Sequence, residues 1–130
     1  MSAHHSAPEM FSNGGDLEFI GVDHRLTLRF SEGDVVTIET EFALTRPGST
    51  EVLLDPDGDK KALGEVLALF GRRVTGAEIV SHELRIAFDD STVLRIPPDP
   101  DYEAWSYSGP GNPRTLVISM PGGDLTIWTS

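Results

Sequence analysis

Four groups of residues have types and spacings that could do chemistry. His24 and His82 hold matching places in an internal repeat, which invites a metal or an acid–base pair. A metal needs a third ligand, however, and neither residue has a His-x-x-x-His partner or a carboxylate pair nearby. Both are expected to be satisfied, half-buried structural histidines. Asp55, Asp57 and Asp59 alternate like the opening of an EF-hand loop, but that loop needs Gly at its sixth position and Glu at its twelfth. Lys60 and Val66 stand there instead, so the aspartates are read as helix capping. If Met1 is removed, Ser2-Ala3-His4 offers an amine, two amides and an imidazole, the square-planar nitrogen set of Cu(II) or Ni(II). No other metal site is expected. The fourth group is aromatic: Tyr102, Trp105, Tyr107 and Trp128, the chain's only tyrosines and tryptophans, all lie in its last thirty residues. They are the candidate binding residues, with core packing as the competing role.

What is missing narrows the chemistry further. With no cysteine there is no disulfide, no thiolate metal site and no thiol nucleophile. No Gly-x-Ser-x-Gly, His-Glu-x-x-His or P-loop is present, so no catalytic residue and no cofactor is expected. Ten Lys/Arg against 21 Asp/Glu give a net charge of −11, which repels phosphate backbones and anionic bilayers. Nucleic acid and membrane are excluded as expected partners, and a basic protein is favoured. The N-terminus resembles no signal peptide and no apolar run is long enough to span a bilayer, so a cytoplasmic protein is expected.

The elements that would position these residues follow from periodicity. Residues 1–16 show none and are read as a disordered tail, leaving 17–130 as a single domain. Val22, His24, Leu26, Leu28 and Phe30 alternate along one strand face; Val36, Ile38, Thr40, Phe42 and Leu44 alternate along the next. A three-residue loop with Gly33 left-handed sets Leu28 against Val36, Leu26 against Ile38 and Arg25 against Glu39. The segment 22–38 recurs at 80–96, displaced by 58 positions, pairing Ile86 with Leu94 and Leu84 with Ile96. Ser91 replaces the turn glycine there and Arg85 faces Arg95, so the second hairpin is expected to be weaker.

Between the repeats, Asp55 as N-cap and Pro56 as first residue predict a helix closed by Gly71. Its apolar stripe would be Leu63, Val66, Leu67 and Phe70. Past Pro97, Pro98 and Pro100, Trp105 and Tyr107 share a strand face. A third hairpin turns at Pro121-Gly122-Gly123, and a two- or four-residue loop would put Leu116, Ile118 and Met120 with Leu125 and Ile127.

Tyr102-Glu103-Ala104-Trp105, Gly109-Pro110-Gly111, Val117-Ile118-Ser119-Met120-Pro121-Gly122-Gly123 and Ile127-Trp128 resemble the hallmark of an uncharacterised family of small actinobacterial proteins. Leu26-x-Leu28-x-Phe30-x-x-Gly33 and Leu69-Phe70-Gly71-x-x-Val74 fit the same pattern, and the resemblance spans roughly residues 20–128. It implies a bacterial, cytoplasmic setting and no activity. In that family a Cys often stands at Ser119 and a Gly at Ser91; the Ser119 departure leaves no thiol chemistry there.

The expected fold is α+β: a mostly antiparallel sheet of three hairpins, six to eight strands, with one helix packed on a face. The expected function is a non-enzymatic protein-binding module, in its sharper form an immunity-type inhibitor of a basic toxin. The alternative is a small-molecule binder with a pocket near Trp105 and Trp128. An enzyme whose carboxylates meet only in the fold ranks third.

Overall fold

The computed structural model describes residues 9–111 and 114–129. Eleven strands are formed among them: β1 (Leu17–Val22), β2 (Leu26–Phe30), β3 (Val35–Ile38), β4 (Phe42–Thr45), β5 (Val52–Leu54), β6 (Val74–Val80), β7 (Glu83–Phe88), β8 (Val93–Ile96), β9 (Trp105–Ser108), β10 (Thr115–Ser119) and β11 (Leu125–Thr129). They make two antiparallel sheets, one ordered β1-β2-β3-β9-β10-β11 and one ordered β5-β4-β8-β7-β6. One apolar core fills with side chains from both; Phe30 of the first sheet stacks on Phe88 of the second at 6.4 Å.

The fold is therefore mostly β rather than α+β, and the helix is where the expectation fails. Asp55-Pro56-Asp57-Gly58 closes a β-turn, with Gly58 N donating to Asp55 O at 3.0 Å and proline at the second position. The Asp55 carboxylate accepts from Asp57 N at 2.9 Å, so it caps no helix. Between β5 and β6 helical structure spans Lys60–Leu67, a 3-10 turn over Lys60–Leu63 followed by one α-turn, α1 (Gly64–Leu67). Asp59 is its cap, accepting from Lys61 N at 2.9 Å. Of the expected stripe Leu63 and Val66 are buried with Leu69, whereas Leu67 and Phe70 are 58% and 61% exposed. Four residues of α-helix are too few for a stripe at helical period to share one face.

The repeat survives, with a twist in its connectivity. Leu26↔Ile38 and Leu28↔Val36 in one sheet match Leu84↔Ile96 and Ile86↔Leu94 in the other, as the spacing predicts. Each repeat is a three-stranded meander, β1-β2-β3 or β6-β7-β8, and each then sends its next strand across to the other sheet. β4 joins the edge of β8, and β9 joins the edge of β3. Val36–Leu44 is consequently two strands, broken at Glu39-Thr40-Glu41, where Glu39 N donates to Ala104 O at 2.8 Å. The prolines end β8 as expected and make the longer crossing to β9.

The expectation of three hairpins is too few, since β1–β2, β4–β5 and β6–β7 are hairpins as well; the three read from sequence close alike. Phe30 N→Asp34 O, Phe88 N→Thr92 O and Met120 N→Asp124 O each flank a three-residue loop. At the third, Pro121 and Gly122 (φ +85°) form a type II turn. An odd loop reverses the expected pairing of faces: Val117 and Ser119 lie with Leu125 and Ile127, while Leu116 and Ile118 lie with Trp128. The last residue of each loop is left-handed: Gly33 and Gly123 at φ +99° and Ser91 at φ +67°. Ser91→Gly is expected to stabilise the protein by about 0.5–1 kcal/mol by relieving that strain, read as a raised urea midpoint at unchanged slope.

Two electrostatic expectations are corrected. Arg25 lies in the β1–β2 turn beside Asp23 (3.8 Å) instead of facing Glu39. Arg85 does face Arg95, but Glu83 accepts from both, at 2.7 and 3.1 Å, and removes the repulsion. Burial opposes the Glu83 carboxylate, yet the two arginines outweigh it and lower its pKa.

Candidate functional site

The best-formed polar cluster is built from residues of three distant segments. Asp34 follows Gly33 and shares the parity of Val36 and Ile38, so its side chain turns inward; it is 1% exposed. Tyr107 stands opposite Val36 on β9 with its ring in the core, and its hydroxyl donates to Asp34 Oδ2 at 2.5 Å. Phe11 completes the cluster. Its backbone N–H lies 3.1 Å from the Tyr107 oxygen and 3.3 Å from Asp34 Oδ2, both of which accept from it. The Phe11 ring packs edge-on against Phe30 at 4.8 Å and tilted against Tyr107 at 5.3 Å.

This latch corrects the reading of 1–16 as a uniformly disordered tail. Residues 1–8, including His4 and its Cu(II)/Ni(II) set, lie outside the described residues. From residue 9 the chain is tied down: Phe11 is buried, Met10 packs on the core, and Asp16 bridges to Arg73. The physical reason is that a lone Met-Phe pair in a polar stretch gains by burial, and the Phe11 N–H finds two acceptors.

Asp34 carries a carboxylate into the core, and among the described residues no Lys or Arg reaches it within ion-pair distance. Its polar contacts are the hydrogen bonds from Tyr107 and Phe11. Burial first, and then the bond to Asp34, push the Tyr107 pKa well above its ordinary value of 10.0. The phenol is thus a donor to Asp34 throughout the physiological range.

Beside Tyr107 an open cleft of about 330 Å³ is lined by Glu9, Ser12, Asn13, Glu32, Gly109, Pro110, Gly111 and Thr115. Its charged lining is acidic only. Two other clefts lie on the outer face of the five-stranded sheet. The larger, about 450 Å³, exists because Gly76, Ala87 and Val93 form a row of small residues beside the Glu78–Arg85 pair. The smaller, about 190 Å³, is bordered by Glu41, Glu51, Glu83 and Arg95, whose charges already satisfy one another in part. Each of these two has an arginine in its lining, Arg85 or Arg95, which sets the Tyr107 cleft apart.

The four aromatics named from sequence are not brought together. Trp105 and Tyr107 are buried at 0% and 1% exposure, whereas Tyr102 and Trp128 stand out at 73% and 58%. Neither tryptophan lines any of these clefts, so the pocket expected near Trp105 and Trp128 is not among them. Trp128 is no core anchor, because the three-residue loop turns it to the outer face with Leu116. His24 and His82 are both exposed, in the β1–β2 and β6–β7 turns. His82 takes φ +67° after Ser81 at +51°, a two-residue turn. Each was expected to lie half buried, and the turns lift both clear of the core. Among the described residues no three His, Asp or Glu side chains are grouped to hold a metal ion.

Sequence reasoning missed Asp34 and Phe11. Asp34 did carry a signal, since it is an acid at a core-facing parity position one residue past the turn glycine. A second polar irregularity lies nearby in the core. Ser119 Oγ and Trp105 Nε1 are both buried without a partner, on neighbouring strands β10 and β9. Ser119→Ala is expected to raise stability by about 1 kcal/mol, checked by chemical denaturation, because it removes a buried hydroxyl that forms no bond.

No curated protein and no solved structure matches the chain. No helix among the described residues is long and apolar enough to cross a membrane. One family model does match, over residues 12–129, from the residue after the Phe11 latch to the end of β11. On that match the chain belongs to the family of unknown function DUF6188.

Proposed function

We propose that the protein is a non-enzymatic protein-binding module that receives a basic side chain of its partner in the cleft beside Tyr107. An immunity-type inhibitor of a basic toxin is the sharper form of this reading. The observation that carries it is the charge of the cleft: Glu9 and Glu32 line it, buried Asp34 lies behind Tyr107, and no Lys or Arg appears among its lining residues. A guanidinium or ammonium entering there would be drawn by those charges, and the net charge of −11 would speed the encounter. The proposed setting is the cytoplasm of an actinobacterium, where a cysteine-free chain loses nothing in a reducing environment.

The test is binding of Lys/Arg-rich peptides and basic proteins to wild type and to a Glu9→Lys/Glu32→Lys double variant. Affinity is expected to fall at least tenfold in the variant, and to fall with salt in the wild type. Equal affinity of the two proteins would sink the reading. A small cationic molecule is the second reading, favoured by a cleft volume at the lower end of the range for ligand sites. An amine that protects wild type but not the double variant against heat would select it.

A further inference from the structure

Two sheets present four edges, and three of them are blunted. β1 and β6 each carry a bulge and an acidic residue, Glu18 or Glu78, and β5 is only three residues long. β11, Leu125-Thr126-Ile127-Trp128-Thr129, has no charge, no proline and no bulge. Among the described residues it pairs with β10 alone, and Ile127 and Trp128 are 40% and 58% exposed. An edge of that composition is a template for another strand.

The hydrogen-bond phase says which strand fits. Met120 N donates to Asp124 O, so the closely bonded pairs up the hairpin are Ile118 with Thr126 and Leu116 with Trp128. Thr126 and Trp128 therefore spend their backbone groups on β10. Leu125, Ile127 and Thr129 point theirs at the free edge. These three are symmetric about Ile127. An antiparallel copy centred there would set Ile127 against Ile127 and Leu125 against Thr129 twice, every pair of the closely bonded kind.

We infer that β11 is a self-association edge, and that its occupant is β11 of a second copy of this chain, joining two six-stranded sheets into one. A basic partner would not be selected by an uncharged strand. Conversely, a chain of net charge −11 can approach its own copy most readily through its neutral edge. The pairing is independent of the Tyr107 cleft.

The test is sedimentation velocity of wild type, Ile127→Pro and Ile127→Lys over a concentration series in about 0.5 M salt, which screens repulsion between exposed charges. Proline at 127 deletes an N–H that points away from β10, so the hairpin keeps its own bonds and circular dichroism should be unchanged. Wild type is expected to dimerise with rising concentration and both variants to stay monomeric. In the wild-type dimer, amide exchange should slow at Leu125, Ile127 and Thr129. A wild type that stays monomeric up to about 1 mM, or a dimer that persists in both variants, overturns the inference.

Discussion

Trp105→Ala is expected to destabilise the protein by about 3–5 kcal/mol, the largest effect of any single truncation here. The indole is wholly buried, opposite Ile38 on β9. Its Nε1 forms no hydrogen bond, so the loss is one of packing and cavity formation alone. β9 is also the strand that the second repeat lends to the first sheet, as β4 is lent to the second. Loosening it should release both sheets together. Urea unfolding followed by tryptophan fluorescence and by circular dichroism is therefore expected to give coincident single transitions in wild type and variant. Trp128→Ala is the control; its ring is 58% exposed and the shift should stay within about 0.5 kcal/mol. A Trp105→Ala loss below about 1.5 kcal/mol, or two separate transitions, would contradict the exchanged-strand core.

What the sequence disclosed and what it hid have one cause. Period two reports which face a residue takes, and nothing about which sheet it takes it in. Leu28 against Val36 and Ile86 against Leu94 were readable, because a glycine or serine turn with fixed loop length sets the register. The passage from β3 to β4 was not, because Ile38 and Phe42 keep the same parity straight through the crossing at residues 39–41. Leu63, Val66, Leu67 and Phe70 fit a helical stripe by spacing, but spacing could not tell that the Asp55-Pro56-Asp57-Gly58 turn delays the helix. At the site, Tyr107 was named and its partners were not. Asp34 and Phe11 are separated from it by 73 and 96 positions, and contacts at that range leave no local pattern.

Tyr107→Phe is the variant that tests the latch, and it is expected to cost about 2–3 kcal/mol at neutral pH. It removes no packing volume of note, but it leaves the buried Asp34 carboxylate with the Phe11 N–H as its one remaining donor among these three residues. Asp34→Ala added to Tyr107→Phe should therefore cost less than the sum of the two single changes, since the second removes the charge that the first stranded. The pH dependence separates this from a simple packing defect. Burial and the Asp34 bond raise the folded phenol's pKa above its unfolded value of 10.0. The stabilisation is then fully present below pH 10 and is lost as the pH climbs from there toward the folded pKa, by up to about 1.4 kcal/mol per unit. The gap between wild type and Tyr107→Phe should accordingly narrow by about 1.4 kcal/mol between pH 8 and pH 11, measured by urea denaturation at each pH. The variant should also be cut sooner by protease in the 9–16 segment, because Phe11 N loses one of its two acceptors. A stability gap that stays constant across that pH range would show that the hydroxyl acts by shape alone and that Asp34 does not depend on it.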